Sequence, residues 1–306
     1  MVYGLARRVL DTLAFVPITE NEYEAIQQAR EGLLECLFME EKFDLLIENY
    51  FEFETTLLEI ATRNMIRHRQ DYRSIHLERN LTDRRIVNLL SAGRVYIDHT
   101  KQHVHRILPG KSSDKLDVNA AFSQQYDTRF GYRCMEALRN HVQHRGFPVH
   151  TTTFERQWVE HEGRKLMLFA ISPCLEPERL REDGEFKKVV LEEMEAKSKK
   201  IDLKAIVRDY VEGLSEVHSK IRQSLHDLVQ DWEGVLRSTI ARYQSAHPKE
   251  GIIGLAAIKR QHDGTHKETI PVFTEFIEQR LYFETKNDVL TNLTKRFVTS
   301  EVIEGQ

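Results

Sequence analysis

Over the first part of the chain, apolar residues recur every three or four positions, which is the spacing of amphipathic α-helices. We predict two helices in the first 60 residues, because the run that follows Thr19 has this spacing, few helix-breaking residues and a capping-box glutamate at Glu22. The pattern therefore favours a mainly α protein.

Two further helices are predicted to form an antiparallel hairpin. The first begins at a cap formed by Thr82 and Asp83 and ends at Pro109–Gly110, and the second extends from an Asn119 cap to Gly146. A short polar loop joins them, so the two helices should pack side by side as in an up-and-down bundle. Residues 1–150 are accordingly predicted to be one helical bundle.

After this bundle the apolar pattern changes to that of β-strands. The segments TTTFERQWV and RKLMLFAIS flank a turn that ends at Gly163, so residues 151–175 are predicted to form a β-hairpin. The second strand is apolar on both faces, which indicates that something else must cover it.

The C-terminal part is predicted to contain long helices over residues 176–245 and a small α+β tail over residues 246–306. Within residues 203–243, apolar positions alternate at gaps of mostly three and four, which makes this near-heptad run a candidate oligomerisation or domain-bridging helix. The tail should contain a second hairpin, turning at Asp263–Gly264, and then a helix.

Composition agrees with a soluble globular protein, since 41% of the residues are hydrophobic and 30% are charged. No apolar run is long enough to span a membrane and the first residues lack a signal-peptide pattern, so we expect a cytoplasmic protein without a membrane partner. The three cysteines are too few and too scattered for a disulfide framework or a zinc knuckle.

Charge is distributed unevenly along the chain. Residues 1–60 carry four Lys and Arg against thirteen Asp and Glu, whereas residues 61–150 carry sixteen against eight, together with eight of the fourteen histidines. An exposed basic segment would attract a polyanion such as RNA. The acidic and basic segments would instead neutralise each other if they pack together, and the sequence favours neither outcome.

Several enzyme signatures are absent, namely GxxxxGKS/T, GxGxxG, GxSxG and HExxH, which excludes the commonest ATPase, dehydrogenase, hydrolase and zinc-protease classes. His99 and His103 have the i, i+4 spacing that can bind zinc, but no third ligand is fixed by the sequence, so we predict neither a metal nor another cofactor.

The pattern R-N-x-x-x-H occurs twice, as RNMIRH at 63–68 and as RNHVQH at 139–144. In the first copy, Asn64 and His68 fall on the apolar side of their helix, so Arg63, Asn64 and His68 are interpreted as a structural copy.

In the second copy the polar residues fall opposite the apolar stripe. Glu136, Asn140 and His144 are spaced four apart on the side away from Met135, Leu138 and Val142, and Arg139 lies at the rim. An exposed set of this kind suits metal-independent phosphodiester cleavage, because histidine moves protons, arginine holds phosphate and asparagine can orient the imidazole or donate to phosphate. The alternative is a solvated polar helix face without catalytic function.

A long helix with the text YRCMEALRNHVQHRG in a helical bundle resembles the HEPN superfamily, whose members are all-helical and often dimeric. Many are endoribonucleases of toxin–antitoxin, abortive-infection and CRISPR-type defence systems, and others bind nucleotides or partners without catalysis. The resemblance covers about residues 60–150. It implies that Arg139 binds phosphate and stabilises the transition state, that Asn140 is the polar second position, and that His144 is the catalytic histidine.

Two hypotheses follow. The first is a HEPN-like metal-independent endoribonuclease, a toxin or phage-defence effector that cleaves RNA by 2′-hydroxyl attack. One motif supplies one exposed histidine, so this hypothesis predicts a homodimer with the site at its interface. The resemblance also implies an antitoxin or defence protein as partner. Glu136 and His141 are its candidate supporting residues. The second is a non-catalytic interaction or nucleotide- or RNA-binding protein that oligomerises through the 203–243 helix.

Overall fold

The computed structural model of the chain describes residues 1–8, 14–67, 71–108, 116–161, 163–262 and 266–299. The fold is mainly helical, as predicted, with 67% helix and two small antiparallel sheets. The described helices are α1 (Glu20–Ile66), α2 (Tyr72–Ile107), α3 (Val118–Thr128), α4 (Phe130–His144), α5 (Pro177–Asp183), α6 (Lys188–Lys197), α7 (Leu203–Ala246) and α8 (Glu275–Lys286). The described strands are β1 (Val2–Arg7), β2 (Phe15–Pro17), β3 (Thr151–His161), β4 (Arg164–Leu175), β5 (Ile201–Asp202), β6 (Leu255–Arg260) and β7 (His266–Pro271).

The chain divides into two compact units, each assembled from three separate stretches. The first unit contains residues 1–44, 98–117 and 220–288, and the second contains residues 45–97, 118–219 and 289–306. The long helices α1, α2 and α7 each contribute residues to both units. A division into consecutive segments, as the sequence suggested, does not describe this arrangement.

The first unit is built on a four-stranded sheet with the order β2-β1-β6-β7. The prediction of two helices in the first 60 residues is wrong here, because β1 and β2 precede one continuous helix, α1. Strand β1 is antiparallel to β6, with Val2 opposite Arg260 and Arg7 opposite Leu255. Strand β1 pairs with a strand that is far away in the sequence, so a local sequence pattern does not predict it.

The start of α1 follows the predicted capping box. The backbone N–H of Thr19 donates to Glu22 Oε2 at 2.6 Å, and the N–H of Glu22 donates to the Thr19 hydroxyl at 3.2 Å. The hydrogen bond that the Thr19 backbone donates to the Glu22 carboxylate holds the pKa of Glu22 below its ordinary value, and a second one from the Thr19 hydroxyl acts in the same direction.

Helix α2 starts ten residues before the predicted cap. Asp71 and Ser74 cap it, since the Ser74 N–H donates to Asp71 Oδ1 at 2.7 Å and the Asp71 N–H donates to the Ser74 hydroxyl at 3.1 Å. Thr82 and Asp83 instead lie inside the helix and are each only 2% exposed. Asp83 was predicted to cap its own helix, but it binds a different part of the second unit.

The predicted helix from Asn119 to Gly146 is interrupted at Arg129, which has an extended backbone. The Arg129 side chain donates to Asp209 Oδ1 at 2.8 Å, and the N–H of Gly131 donates to Asp209 Oδ2 at 2.7 Å. This tertiary interaction ends α3 and starts α4 as a separate helix.

The two predicted hairpins are confirmed. Residues 151–175 form β3 and β4, and residues 255–271 contain β6 and β7, although the turn at 263–265 lies outside the described residues.

The helix predicted at 203–243 is α7, and most of its apolar residues are buried within the chain. This burial removes the reason for proposing α7 as an oligomerisation surface. Among the described residues, no helix is long and apolar enough to cross a membrane.

Two helical glycines provide a matched test of packing in the first unit. A methyl group at Gly32 would overlap the ring of Trp232, whereas at Gly234 no described atom beyond the adjoining backbone of α7 lies within 4 Å of such a group. We expect Gly32→Ala to lower the free energy of unfolding by about 1–3 kcal/mol through overpacking. Gly234→Ala should raise it by up to about 1 kcal/mol through helix propensity. Urea titrations of both variants test this, and equal effects would contradict the packing described.

Candidate functional site

The motif helix α4 presents part of RNHVQH to solvent. Met135 and Leu138 are fully buried, and Asn140 and His144 are exposed, as the helical phase predicted. Val142 is only half-buried. The last turn of α4 therefore offers an amide and an imidazole on its accessible side.

Arg139 is oriented by its neighbours in the same helix. Its Nη2 donates to Asn140 Oδ1 at 2.8 Å and its Nη1 donates to Gln143 Oε1 at 3.4 Å. Its Nε is buried and has no hydrogen-bond partner within the described part of the chain. An unsatisfied buried donor costs about 1–3 kcal/mol. Both amide partners are neutral, so the positive charge of this arginine is not cancelled by them.

The other arginines in and around α4 have carboxylate partners. Arg129 pairs with Asp209, Arg133 pairs with Glu193, and Arg145 pairs with Glu185. Arg139, in contrast, makes no ion pair with a carboxylate of the described residues. Among these four arginines, Arg139 is the one whose charge remains available for an anion.

The helical phase predicted that Glu136 lies on the solvent face, but this residue is half-buried. Burial raises the pKa of Tyr132 and Tyr210, and the negative charge of Glu136 raises both further. Arg94 and Arg139 act in the opposite direction on Tyr210. Glu136 therefore belongs to a charged and aromatic cluster under α4, and this position does not favour a direct function in catalysis.

His141, the other candidate supporting residue, is 9% exposed. Its Nδ1 lies 3.3 Å from Asp183 Oδ2, and its ring packs against Phe186 with 6.0 Å between centroids. Burial lowers the pKa of His141 and outweighs the opposing effect of the Asp183 charge. This histidine packs the end of α4 against the residues that follow α5, while the exposed histidine of the motif is His144.

The segment after α4 is held by a buried carboxylate. Asp83 Oδ1 accepts a hydrogen bond from the N–H of Val149 at 2.8 Å, and Asp83 Oδ2 is buried without a partner among the described residues. Burial raises the pKa of Asp83 to about 6, although the Val149 N–H and the charge of Arg79 act against it. Local sequence reasoning assigned Asp83 to a helix cap, so it missed this interaction.

In the first motif copy, the structure describes Arg63 and Asn64, while His68 lies outside the described residues. Asn64 is 6% exposed and its Nδ2 donates to the carbonyl oxygen of Ile60 at 2.9 Å. Arg63 forms an ion pair with Glu59 on the same helix. Both described residues have intrahelical partners, and the interpretation as a structural copy stays a prediction.

Six of the sixteen Lys and Arg residues in residues 61–150 form ion pairs within the chain. Three of them pair with the acidic N-terminal segment and three more pair with later carboxylates: Arg63, Arg85 and Arg106, then Arg129, Arg133 and Arg145. The sequence left open whether this segment is an exposed basic patch or is neutralised internally, and for these six residues the second alternative holds.

The histidine pair considered for zinc also has a structural contact. His103 is 6% exposed, and its Nδ1 lies 2.5 Å from Glu35 Oε2. The rings of His99 and His103 are 6.1 Å apart between centroids. Within the residues that the structure describes, no group of three or more His, Cys, Asp or Glu side chains is arranged to hold a metal ion.

A scan of the chain against protein-family models gives no match, and comparisons with curated proteins and with solved structures give none either. The class that the structure defines is a mainly helical protein with two small antiparallel sheets. The HEPN resemblance stays a prediction from the motif and its surroundings.

The raised pKa of Asp83 predicts a specific dependence of stability on pH. A carboxyl group whose folded pKa of about 6 exceeds its ordinary value of 3.8 stabilises the fold at low pH, and this contribution is lost as the pH rises through 6. The free energy of unfolding of the wild type, relative to Asp83→Asn, should therefore fall by about 1 kcal/mol between pH 5 and pH 7.5.

Urea titrations at several pH values measure this difference, with Asp231→Asn on the exposed side of α7 as the matched control. The free energy of unfolding of the wild type, relative to Asp83→Asn, could instead stay constant or rise with pH. Either result would show that the Asp83 carboxyl is not buried as described.

Proposed function

We propose that this protein is a HEPN-like, metal-independent endoribonuclease whose site is formed by Arg139, Asn140 and His144. The observation that carries the proposal is the contrast among the arginines near α4. Three of them are paired with carboxylates, whereas Arg139 is oriented only by the neutral amides of Asn140 and Gln143. Asn140 and His144 of the same helix are exposed. An arginine without a carboxylate partner, on the same helix as an accessible imidazole, is suited to binding a phosphodiester.

The chemistry would be transesterification at phosphorus. The 2′-hydroxyl oxygen attacks the adjacent phosphorus and loses its proton to a base, while the bond to the 5′-oxygen breaks and that oxygen receives a proton from an acid. The products are a 2′,3′-cyclic phosphate and a 5′-hydroxyl. His144 would transfer a proton, and the Arg139 guanidinium would stabilise the negative charge on the phosphoryl oxygens.

For Asn140 the hydrogen bonding supports a function other than orienting the imidazole or donating to phosphate. Its side-chain oxygen accepts a hydrogen bond from Arg139 Nη2 at 2.8 Å, so it orients the arginine. The same interaction restricts the guanidinium to the accessible end of α4, and a preorganised donor stabilises a transition state at little cost in reorganisation.

A single chain offers one exposed histidine in this motif, whereas the reaction uses both a base and an acid. A homodimer that brings two copies of His144 to one phosphodiester would supply both. The biological setting that the resemblance suggests is a toxin or phage-defence effector, controlled by an antitoxin or another defence protein.

A second candidate function is a non-catalytic protein that binds RNA, a nucleotide or a protein partner. The observation that favours it is the internal pairing of six arginines in residues 61–150, because this pairing reduces the electrostatic attraction of the segment for a long polyanion. Such a protein would bind its ligand at the same end of α4 without cleaving it.

We expect purified protein to cleave labelled single-stranded RNA in the presence of EDTA and to leave 2′,3′-cyclic phosphate ends. His144→Ala should reduce the cleavage rate by about 10²-fold or more, since it removes proton transfer. Arg139→Lys keeps the charge but loses the planar guanidinium, so a large loss of rate is expected there too.

His226→Ala is the matched control, because His226 is exposed on α7 and lies outside the motif. All variants are purified identically, and circular dichroism checks their fold. Cleavage at the wild-type rate by His144→Ala would contradict the proposal. RNA binding without cleavage by the wild type would favour the second candidate function.

A further inference from the structure

The hairpin of β3 and β4 has a long open edge. Its sheet has the strand order β3-β4-β5, so β3 is an edge strand, and it runs for 11 residues from Thr151 to His161. Strand β5 pairs only with Cys174 and Leu175 at the end of β4. No strand of the described residues pairs with the outer edge of β3. Its outward-facing backbone groups are therefore placed to form a ladder with another chain.

The outer half of this hairpin is also apolar and exposed. Trp158 is 60% exposed, and Met167 and Leu168 are 38% and 41% exposed. Trp158 lies opposite Met167 in the register, so these two side chains share one face, while Leu168 lies on the other. Proteins usually protect such an edge with charges or a partner, because an open apolar edge promotes association.

Charges on β3 are arranged in a way that fits a second copy of the same strand. Arg156, Trp158 and Glu160 alternate along β3 and therefore lie on one face. Arg156 lies over the ring of Phe169 at 5.8 Å, and neither Arg156 nor Glu160 makes an ion pair with a described residue. Lys165 is opposite Glu160 in the register, but its Nζ lies 5.8 Å from the centroid of the Trp158 ring.

An antiparallel pair of β3 strands, related by a two-fold axis at Trp158, would satisfy these groups. In that register Trp158 lies opposite Trp158 of the second copy, and Arg156 lies opposite Glu160 of the second copy. The symmetry repeats the same ion pair on the other side of the axis, so one interface contains two opposite-charge pairs around an aromatic pair. A shift of one residue would place each arginine opposite Val159 and lose both ion pairs.

We propose that β3 is a self-association strand, through which two copies of this chain form a continuous antiparallel sheet. The occupant of the open edge is β3 of the second copy, because the order of positive, aromatic and negative residues is complementary to itself when the strand is reversed. The proposal does not depend on ribonuclease activity, and it concerns an element outside the motif helix.

Single charge reversals test the proposed register directly. Arg156→Glu and Glu160→Arg each place like charges opposite one another in both pairs of a symmetric dimer, and like charges directly opposite are destabilising. We expect either variant alone to weaken self-association by about tenfold or more, as measured by sedimentation velocity over a range of concentrations.

An equimolar mixture of the two single variants should restore dimers, because each chain then presents the charges that the other requires. The double variant Arg156→Glu/Glu160→Arg should also dimerise, within about threefold of the wild-type dissociation constant. The control Asp231→Arg carries a charge reversal on α7 and should leave self-association unchanged.

A wild-type chain that stays monomeric at tens of micromolar would overturn the proposal. So would single variants that dimerise like the wild type, or a mixture that does not restore dimers. Circular dichroism and thermal unfolding of each variant distinguish a lost interface from a lost fold.

Discussion

The direction of the motif helix depends on the interactions of one carboxylate, that of Asp209, with the start of α4. One of its oxygens accepts from Arg129 and the other accepts from the N–H of Gly131. Gly131 also lies close to α7, since a Cβ there would be 2.6 Å from the carbonyl oxygen of Ile206. These contacts fix where α4 begins and, at 3.6 residues per turn, which of its side chains face the core and which face solvent.

Ion pairing then decides which charges remain available for other molecules. Arg129, Arg133 and Arg145 each form an ion pair with a carboxylate of the chain. The motif arginine Arg139 instead donates hydrogen bonds to neutral amides. The overall charge of the basic segment therefore does not show which of its arginines have carboxylate partners; only the pairing of individual residues does. The two proposals concern different elements, α4 for RNA cleavage and β3 for self-association.

Local patterns predicted a large part of the fold. The Thr19–Glu22 capping box, the hairpin over residues 151–175 and the long helix α7 were all recognisable, because each depends on residues close together in the sequence. The exposure of Asn140 and His144 was predicted for the same reason, since the phase of a helix follows from its own apolar stripe.

The sequence by itself thus determined the type of most elements and which face of α4 is polar, because these follow from periodicity over a few turns. Only the tertiary structure decided that residues 2–7 form a strand, since its partner is β6, and that the helix is interrupted at Arg129, since the partner there is Asp209. It also decided that Asp83 is buried and holds the segment after α4. Each of these outcomes depends on a hydrogen bond between residues far apart in the chain, which no local pattern records.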